Sequence, residues 1–382
     1  MPRYVPDPTS QADHLLQLIG QFYDSTPLSP IGERLNEAIQ ALLDCRVDAD
    51  LGRAFTDIHR LLERLPHGNN LGDRFCFDAE LIASIRDDWS GCSQYLGSMI
   101  IPKYGDEWGH HSMNLPNFKD SGLPRVDLVV FCGGDSLDCV SLLNYPWLIH
   151  ELAHNLFIPQ DSIGCANLTI EINRFVRGCK LRSFSASAHQ QTAQNAKYDS
   201  LEKAWLGYGS GGHWLHELAA DAVTVWTLGP AFLAAFIDTV ENPHPFHTNA
   251  KHPSYEMRTM SLLNLAEKLG WSSHVEEMKN LLEKWTHLYG STVTNDYLQQ
   301  RRASILDAAA IDTFNLCERL QLPLCDQSMI TQVTRDFESS AKLEFNSKLL
   351  LFAWQAERSL TKSEYRDWER SALHQLTMTP MQ

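Results

Sequence analysis

Residues 148–157 read LIHELAHNLF, and this stretch decides which fold the chain is expected to adopt. It contains the pattern H-E-x-x-H, with histidines at positions 150 and 154. Side chains four residues apart on a helix project from the same face, so both imidazole rings would point in one direction. Two imidazoles held in this way form half of a tetrahedral metal shell. We therefore predict a helix on which His150 and His154 bind a metal ion.

Acid–base chemistry at this helix is predicted for Glu151. The residue lies one position around the helix from His150, where its carboxylate can reach a water beside the metal without binding the ion. A carboxylate in that position is suited to act as a general base. The third ligand has to come from elsewhere in the chain. A metzincin would need glycine at position 157 and histidine at position 160, where the chain has Phe157 and Gln160.

A second stretch, WLHELAADAV at residues 214–223, supplies the missing ligand. Its pattern E-x-x-A-D, on a helix predicted from about 214 to 227, places Glu217 and Asp221 on one face. Glu217 completes a zinc site of two histidines and one glutamate, with the fourth position open. Asp221 would accept the N–H of a ligand histidine, with His150 the expected donor. His216 points away from Glu217 on the helix and is assigned a packing or surface role.

A third segment makes the chain resemble a known family. His252-Pro253 is followed by Arg258, in the pattern H-P-x-x-x-x-R. The order H-E-x-x-H, E-x-x-A-D and H-P-x-x-x-x-R is similar to that of gluzincin zinc metallopeptidases of the HtpX and CAAX prenyl protease group. The resemblance covers about residues 125 to 265. Members of this group are usually embedded in a membrane or periplasmic, which leaves substrate and compartment open for this chain.

The resemblance implies roles for the third segment. A histidine at the position of His252 lies near the metal, as an extra ligand or a substrate contact, and an arginine at the position of Arg258 lines the cleft. Both are therefore candidate catalytic residues that hold the oxyanion of a tetrahedral intermediate. Two other readings stay open: His252 as a residue that caps a helix, and Arg258 as a buried ion-pair partner of the acidic helices.

The expected fold class is α+β and predominantly helical, with a zincin-like core and a small sheet. We predict an N-terminal helical region over 1–95, a catalytic core over 96–265 and a C-terminal helical region over 266–382. The stretch RVDLVVFC, at 125–132, predicts a strand that either lies at an edge and pairs with substrate or belongs to the core. His110 and His111 are expected in a loop before this strand, and residues 336–360 in one long amphipathic helix.

Composition excludes several classes of protein. The 32 Lys and Arg against 47 Asp and Glu give a net charge of −15, which opposes binding to nucleic acid. The sequence shows no secretory signal and no apolar run long enough for a membrane span. The 9 cysteines form no C-x-x-C pair, which argues against a disulfide framework and favours a cytoplasmic location.

The sequence therefore predicts a zinc-dependent endopeptidase whose partner is a protein or peptide substrate. A protein encoded beside it is a candidate substrate. Two alternatives remain at this point. One is a non-proteolytic zinc-binding scaffold or regulatory protein, and the other is a latent peptidase that needs a partner or a trigger.

Overall fold

The computed structural model describes residues 8–23, 73–92, 99–105, 109–113, 126–132, 140–154, 214–240, 252–289 and 296–377, with the isolated positions 36, 39, 40, 156 and 174. Within these residues the chain is predominantly helical, which confirms this part of the predicted fold class. The described helices are numbered in chain order: α1 Pro8–Tyr23, α2 Asp73–Asp88, α3 Pro146–His154, α4 Trp214–Leu228, α5 Pro230–Val240, α6 Tyr255–Leu269, α7 Ser272–Tyr289, α8 Asp296–Arg319, α9 Gln327–Glu338, α10 Lys348–Ser359 and α11 Lys362–Thr377.

Helix α4 lies at the centre of the described fold. It contacts α3, α5, α6, α8 and α10, and every residue from 217 to 228 is buried. Its sequence is apolar around nearly the whole circumference, which is typical of a helix covered on all sides. The carboxylates of Glu217 and Asp221 are exceptions in this buried run, so they need partners inside the protein.

The turn between α4 and α5 depends on Gly229. Its φ angle of 47° lies in the left-handed region, which glycine adopts without strain. A Cβ at this position would also lie 2.8 Å from the ring of Trp271 and 2.9 Å from Cys325 Sγ. Pro230 then begins α5, a position that suits proline because the first helical residue has no N–H bond to lose. Together the two residues turn the chain sharply after the central helix.

Helix α3, which carries the H-E-x-x-H pattern, begins at Pro146. The sequence predicts a helical pattern from Leu142, but Leu142–Asn144 form a separate turn of 3₁₀ helix. The physical reason for the later start is again proline, whose ring fits the first turn of a helix and not its interior. All residues of α3 except His154 are buried, so the helix lies inside the fold.

Buried polar contacts hold the start of α3 in place. Tyr145 donates a hydrogen bond of 2.6 Å to Asp78 Oδ1 on α2. Arg74 Nε lies 3.4 Å from the other oxygen of Asp78. On the opposite side of the turn, the backbone N–H of Leu142 donates to Glu369 on α11 at 2.7 Å. The lead into α3 is therefore fixed to helices from both ends of the chain.

The described strands form a three-stranded sheet: β1 Met99–Gly105, β2 Gly109–Met113 and β3 Val126–Cys132. Strand β3 is central, parallel to β1 and antiparallel to β2. The possibility that this strand is an edge that pairs with substrate is therefore wrong, because both of its edges are occupied. The expectation of a loop at His110 and His111 is also wrong, since they pair with Val129 and Leu128. Both β2 and β3 contact α3.

One hydrophobic core joins the part before residue 265 to the part after it. Trp226 on α4 donates its indole N–H to the carbonyl of Leu322 at 3.2 Å. Its own carbonyl accepts a hydrogen bond of 2.8 Å from the backbone N–H of Cys325. The predicted catalytic and C-terminal regions thus share a packed interior. None of the helices in the described ranges is both long and apolar enough to cross a membrane.

Residues 336–360 do not form the single long helix that their periodicity predicts. Helix α9 ends at Glu338 and α10 begins at Lys348. Ser340 has a φ angle of 54°, and the N–H of Ala341 donates to the carbonyl of Asp336 at 2.9 Å. A left-handed residue with this bond closes the C-terminus of a helix, so the chain turns where the apolar pattern continues.

Candidate metal centre

Three predicted ligands come together where α3 meets α4. His150 and His154 project from α3, and Glu217 projects from the first turn of α4. One potential ligand atom from each lies within 4.8 Å of the other two. This group could hold a metal ion, as the sequence predicts for these residue types and spacings.

The distances within the group fit tetrahedral coordination. The Nε2 atoms of His150 and His154 are 3.3 Å apart. Glu217 Oε2 lies 3.5 Å from His150 Nε2, and Oε1 lies 3.6 Å from His154 Nε2. Bonds of about 2.0–2.1 Å to a tetrahedral ion would place neighbouring ligand atoms about 3.3 Å apart. The two histidine nitrogens are therefore at the separation that one small ion requires, and each oxygen of Glu217 lies near that distance from one of them.

Aromatic side chains hold the ring of His150. The indole of Trp147, one turn earlier on α3, meets it edge-on with centroids 5.2 Å apart. Phe232 on α5 lies nearly parallel to it, at 6.2 Å and an interplanar angle of 20°. The imidazole is only 2% exposed. These contacts limit the rotation of the ring, so its Nε2 atom keeps facing Glu217.

Asp221 lies behind His150, on the side away from the other ligands. Its Oδ1 atom is 3.0 Å from His150 Nδ1, within hydrogen-bond distance although the N–H does not point directly at it. A carboxylate here favours the tautomer with its proton on Nδ1, which leaves the Nε2 lone pair for a metal. Burial alone would lower the pKa of His150, but the nearby carboxylates of Asp221 and Glu217 raise that pKa to about 9.

Arg258 pairs with Asp221 through two parallel hydrogen bonds. Its Nε donates to Oδ2 at 2.8 Å and its Nη2 donates to Oδ1 at 2.6 Å. Its Nη1 lies 3.7 Å from Glu217 Oε2. Burial would raise the pKa of Asp221, but the charge of Arg258 keeps it below its usual value. Of the two readings left open by the sequence, the observed contacts of Arg258 are those of a buried ion pair.

Glu217 is a buried carboxylate surrounded by histidine rings and the guanidinium of Arg258. Burial alone would raise its pKa. The charge of His154, followed by hydrogen bonds from His150 and His252, holds the pKa of Glu217 well below its usual range. The carboxylate is therefore ionised near neutral pH, as a metal ligand must be.

His252 lies at the outer side of Glu217. Its Nδ1 atom is 3.2 Å from Glu217 Oε1, and its side chain is 51% exposed. It does not cap the following helix, because Ser254 does so: the Ser254 hydroxyl accepts the N–H of Met257 at 3.1 Å. The helix-capping alternative for His252 is therefore wrong. The ring lies against a ligand and is also open to solvent.

The remaining predicted residues are placed as follows. Glu151 lies on α3 beside His150 and is 7% exposed. His216, next to Glu217 in sequence, is partly exposed and does not belong to the group that could hold the ion.

The sequence analysis missed the aromatic residues around the centre. Trp147 and Phe236 are neighbouring rings, with centroids 6.1 Å apart, and the Arg258 guanidinium lies over both, 5.3 and 5.4 Å from their centroids. Trp147 also donates its indole N–H to Thr239 at 3.2 Å. The position of Trp147 three residues before His150 was the available signal, because this spacing puts both on one face of the helix.

Comparison with known proteins gives no match: no protein-family model matches the chain, and neither a curated protein nor a solved structure does. The function of the centre is therefore inferred from its geometry and chemistry.

Proposed function

We propose that this chain is a zinc-dependent endopeptidase that hydrolyses peptide bonds of a protein substrate. One observation carries the proposal: His150, His154 and Glu217 converge at tetrahedral separations. Glu151, the residue after the first ligand, supplies the carboxylate that this chemistry needs. A structural zinc site would usually have four protein ligands, whereas a catalytic site has three and one open position.

The donor set favours zinc among the common metal ions. Two imidazoles and one carboxylate form a ligand set that zinc uses in hydrolytic enzymes. Magnesium and calcium prefer shells made almost wholly of oxygen ligands. The orientation of His150 by Asp221 also fits, since ligand histidines usually donate their second N–H to a carboxylate or carbonyl.

The mechanism assigns a role to each group in turn. His150, His154 and Glu217 would hold the zinc ion, which would supply a Lewis acid for a water and the scissile carbonyl. Glu151 accepts the proton of that water and then delivers it to the leaving amine. We assign to the exposed ring of His252 a contact with the substrate oxygen that becomes negative.

The proposed fold family follows from the same residues. The motif order resembles that of gluzincins of the HtpX and CAAX prenyl protease group, and we propose a zincin-like core made of α3, α4, α6 and the sheet. Two features support this: β2 and β3 both contact α3, and α6 and the residues just before it bring Arg258 and His252 to the ligand group. We further propose that the enzyme is cytoplasmic and cleaves a narrow range of substrates. A protein encoded beside it is a candidate substrate.

The experiment compares Glu151→Gln with the wild type after both are loaded with zinc. We expect the variant to retain bound zinc and to lose about 10²- to 10⁴-fold in the rate of peptide cleavage. The substrates are casein, a proteome-derived peptide mixture and the protein encoded beside this one. The matched control is Glu276→Gln, an exposed carboxylate on α7, which should cleave like the wild type.

Each outcome decides between the alternatives. Full activity of Glu151→Gln would overturn the mechanism. Zinc bound by the wild type without cleavage of any substrate would favour the non-proteolytic scaffold. Cleavage that begins only after a partner is added would favour the latent peptidase.

A further inference from the structure

Arg258 is a buried cation held by three helices at once. It projects from α6, pairs with Asp221 on α4, and lies over the rings of Trp147 on α3 and Phe236 on α5. Only 6% of the residue is exposed. A guanidinium this deeply buried is costly unless its charge is compensated, so its contacts indicate what it does.

We propose that Arg258 is a positioning residue that holds Asp221 in alignment behind His150, and thereby raises the affinity of the ligand group for its metal ion. The inference rests on the metal site of the proposed function and gives Arg258 a role at that site. It replaces the oxyanion role that the family resemblance implies for this residue.

The contacts form a continuous chain to the metal ligands. Two donors of Arg258 reach the two oxygens of Asp221, at 2.8 and 2.6 Å. The same Oδ1 atom lies 3.0 Å from His150 Nδ1. Asp221 is 0% exposed, so water cannot stabilise its charge. Without the two donors of Arg258, the carboxylate would lose its alignment behind His150, and its support of that residue would weaken.

The aromatic neighbours explain why this cation is an arginine. The planar guanidinium lies over both rings, with its central carbon 5.3 Å from the Trp147 centroid and 5.4 Å from that of Phe236. A guanidinium forms two parallel hydrogen bonds to a carboxylate and stacks on aromatic faces, whereas a lysine ammonium is a compact and strongly hydrated charge. Lysine at this position would keep the charge and lose the two-point alignment of Asp221.

The same contacts argue against a direct role in stabilising a substrate oxyanion. Nε and Nη2 donate to Asp221, and Nη1 lies 3.7 Å from Glu217 Oε2. An oxyanion binder needs donors that are free to face the reacting carbonyl. The guanidinium of Arg258 is directed at two carboxylates of the protein instead.

The experiment measures zinc affinity by competition with a chromophoric chelator, so no substrate is needed. We expect Arg258→Gln to bind zinc about 10- to 100-fold more weakly than the wild type. Arg258→Lys should lie between the two. The matched control is Arg358→Gln, because Arg358 stacks on Trp354 at 5.2 Å on the remote helix α10; its zinc affinity should equal that of the wild type.

A double-mutant cycle with Asp221→Asn separates positioning from a general loss of structure. If Arg258 acts through Asp221, adding Arg258→Gln to Asp221→Asn should lower the zinc affinity by less than about threefold. Cobalt-substituted protein gives a second readout, since a changed His150 orientation alters the visible absorption bands of the ion. We expect altered bands in Arg258→Gln and unchanged bands in Arg358→Gln.

The outcomes keep this inference apart from the proposed function. A wild type that binds no zinc would overturn the metal site itself. If the wild type binds zinc and Arg258→Gln binds it equally well, only the inference about Arg258 is wrong. It is also wrong if the two substitutions lower the affinity independently, so that their effects multiply. If Arg258→Gln does not fold, Arg258→Lys and the double variant with Asp221→Asn decide the same questions.

Discussion

Tyr145 donates a hydrogen bond of 2.6 Å to Asp78, and both residues are almost fully buried. The bond joins α2 to the residue that immediately precedes α3. The burial of Tyr145 and the negative charge of Asp78 raise the pKa of Tyr145 well above its usual value, so the hydroxyl keeps its proton and remains a donor at neutral pH. The helix that carries His150 and His154 is thus anchored at its start by a buried charged group.

We expect Tyr145→Phe to lower the free energy of unfolding by about 1–3 kcal/mol, because a buried carboxylate loses a hydrogen bond that water cannot replace. Urea unfolding followed by circular dichroism measures the change. Tyr365→Phe is the matched control, since Tyr365 also donates to a carboxylate, Glu369, at 2.8 Å. Glu369 is partly exposed, so the control should lose less. Equal losses would contradict the role given to burial.

The neighbours Glu217 and His216 allow a test of the ligand set. Glu217→Gln removes a ligand charge, and we expect zinc affinity to fall by at least about 100-fold, because carboxylate ligands must be ionised. His216→Gln should leave the affinity unchanged, since His216 does not belong to the ligand group. Competition with a chelator measures both. A large loss in His216→Gln would mean that the histidine beside the ligand takes part in binding.

Substitutions at two glycines with left-handed backbone angles distinguish the cost of a steric clash from the cost of backbone strain. Gly270 has a φ angle of 81°, and no described atom lies within 4 Å of a Cβ added there. Gly270→Ala should therefore cost about 1 kcal/mol of stability from strain alone. Gly229→Ala adds a clash with Trp271 and Cys325, and we expect a total loss of about 2–4 kcal/mol. Thermal unfolding checks the order; equal losses would contradict the packing around Gly229.

We predict that His274 makes the stability of the folded protein depend on pH. Burial, followed by the charge of Arg358, lowers the pKa of His274 to about 4. The unfolded chain takes up this proton near pH 6.5, whereas the folded protein does so only near pH 4. The unfolded state therefore binds more protons between these values, and the free energy of unfolding falls as the pH drops through this window. The full loss is roughly 3 kcal/mol.

The measurement compares urea unfolding at several pH values between 4 and 7. In His274→Gln we expect the decrease between pH 6.5 and 4 to be smaller than in the wild type by most of that amount. The loss of ring packing against Trp354 shifts the curve at every pH and does not change its slope. The control is His287→Gln, an exposed histidine on the same helix. If the free energy of unfolding of His274→Gln changed with pH as steeply as that of the wild type, the prediction would be wrong.

Helix α4 shows what the sequence could predict. Its apolar run is bounded by glycines, and the helix expected over about 214–227 is observed at Trp214–Leu228. The start of α3 was predicted less well, although Pro146 carried the signal. The break near Ser340 was not visible at all, because the apolar pattern continues across it and only backbone geometry marks it.

The candidate site also has a part that the sequence could predict and a part that it could not. The pairs His150 with His154, and Glu217 with Asp221, follow from a spacing of four residues on one helix, which the sequence states directly. The pairing of Arg258 with Asp221 depends on how α6 crosses α4, and its aromatic neighbours come from two further helices. Contacts of this kind depend on tertiary packing, which no local pattern in the sequence specifies.

The ligand group also has a charge balance that bears on its occupant. Glu151, Glu217 and Asp221 are carboxylates that are at most 7% exposed, and Arg258 is the cation buried with them. With both histidines neutral, as metal binding requires, and the three carboxylates ionised, these four side chains carry two negative charges in excess. Buried charges are costly unless they are compensated. A divalent ion would make the whole cluster electrically neutral, whereas a monovalent or trivalent ion would leave a net charge inside the protein.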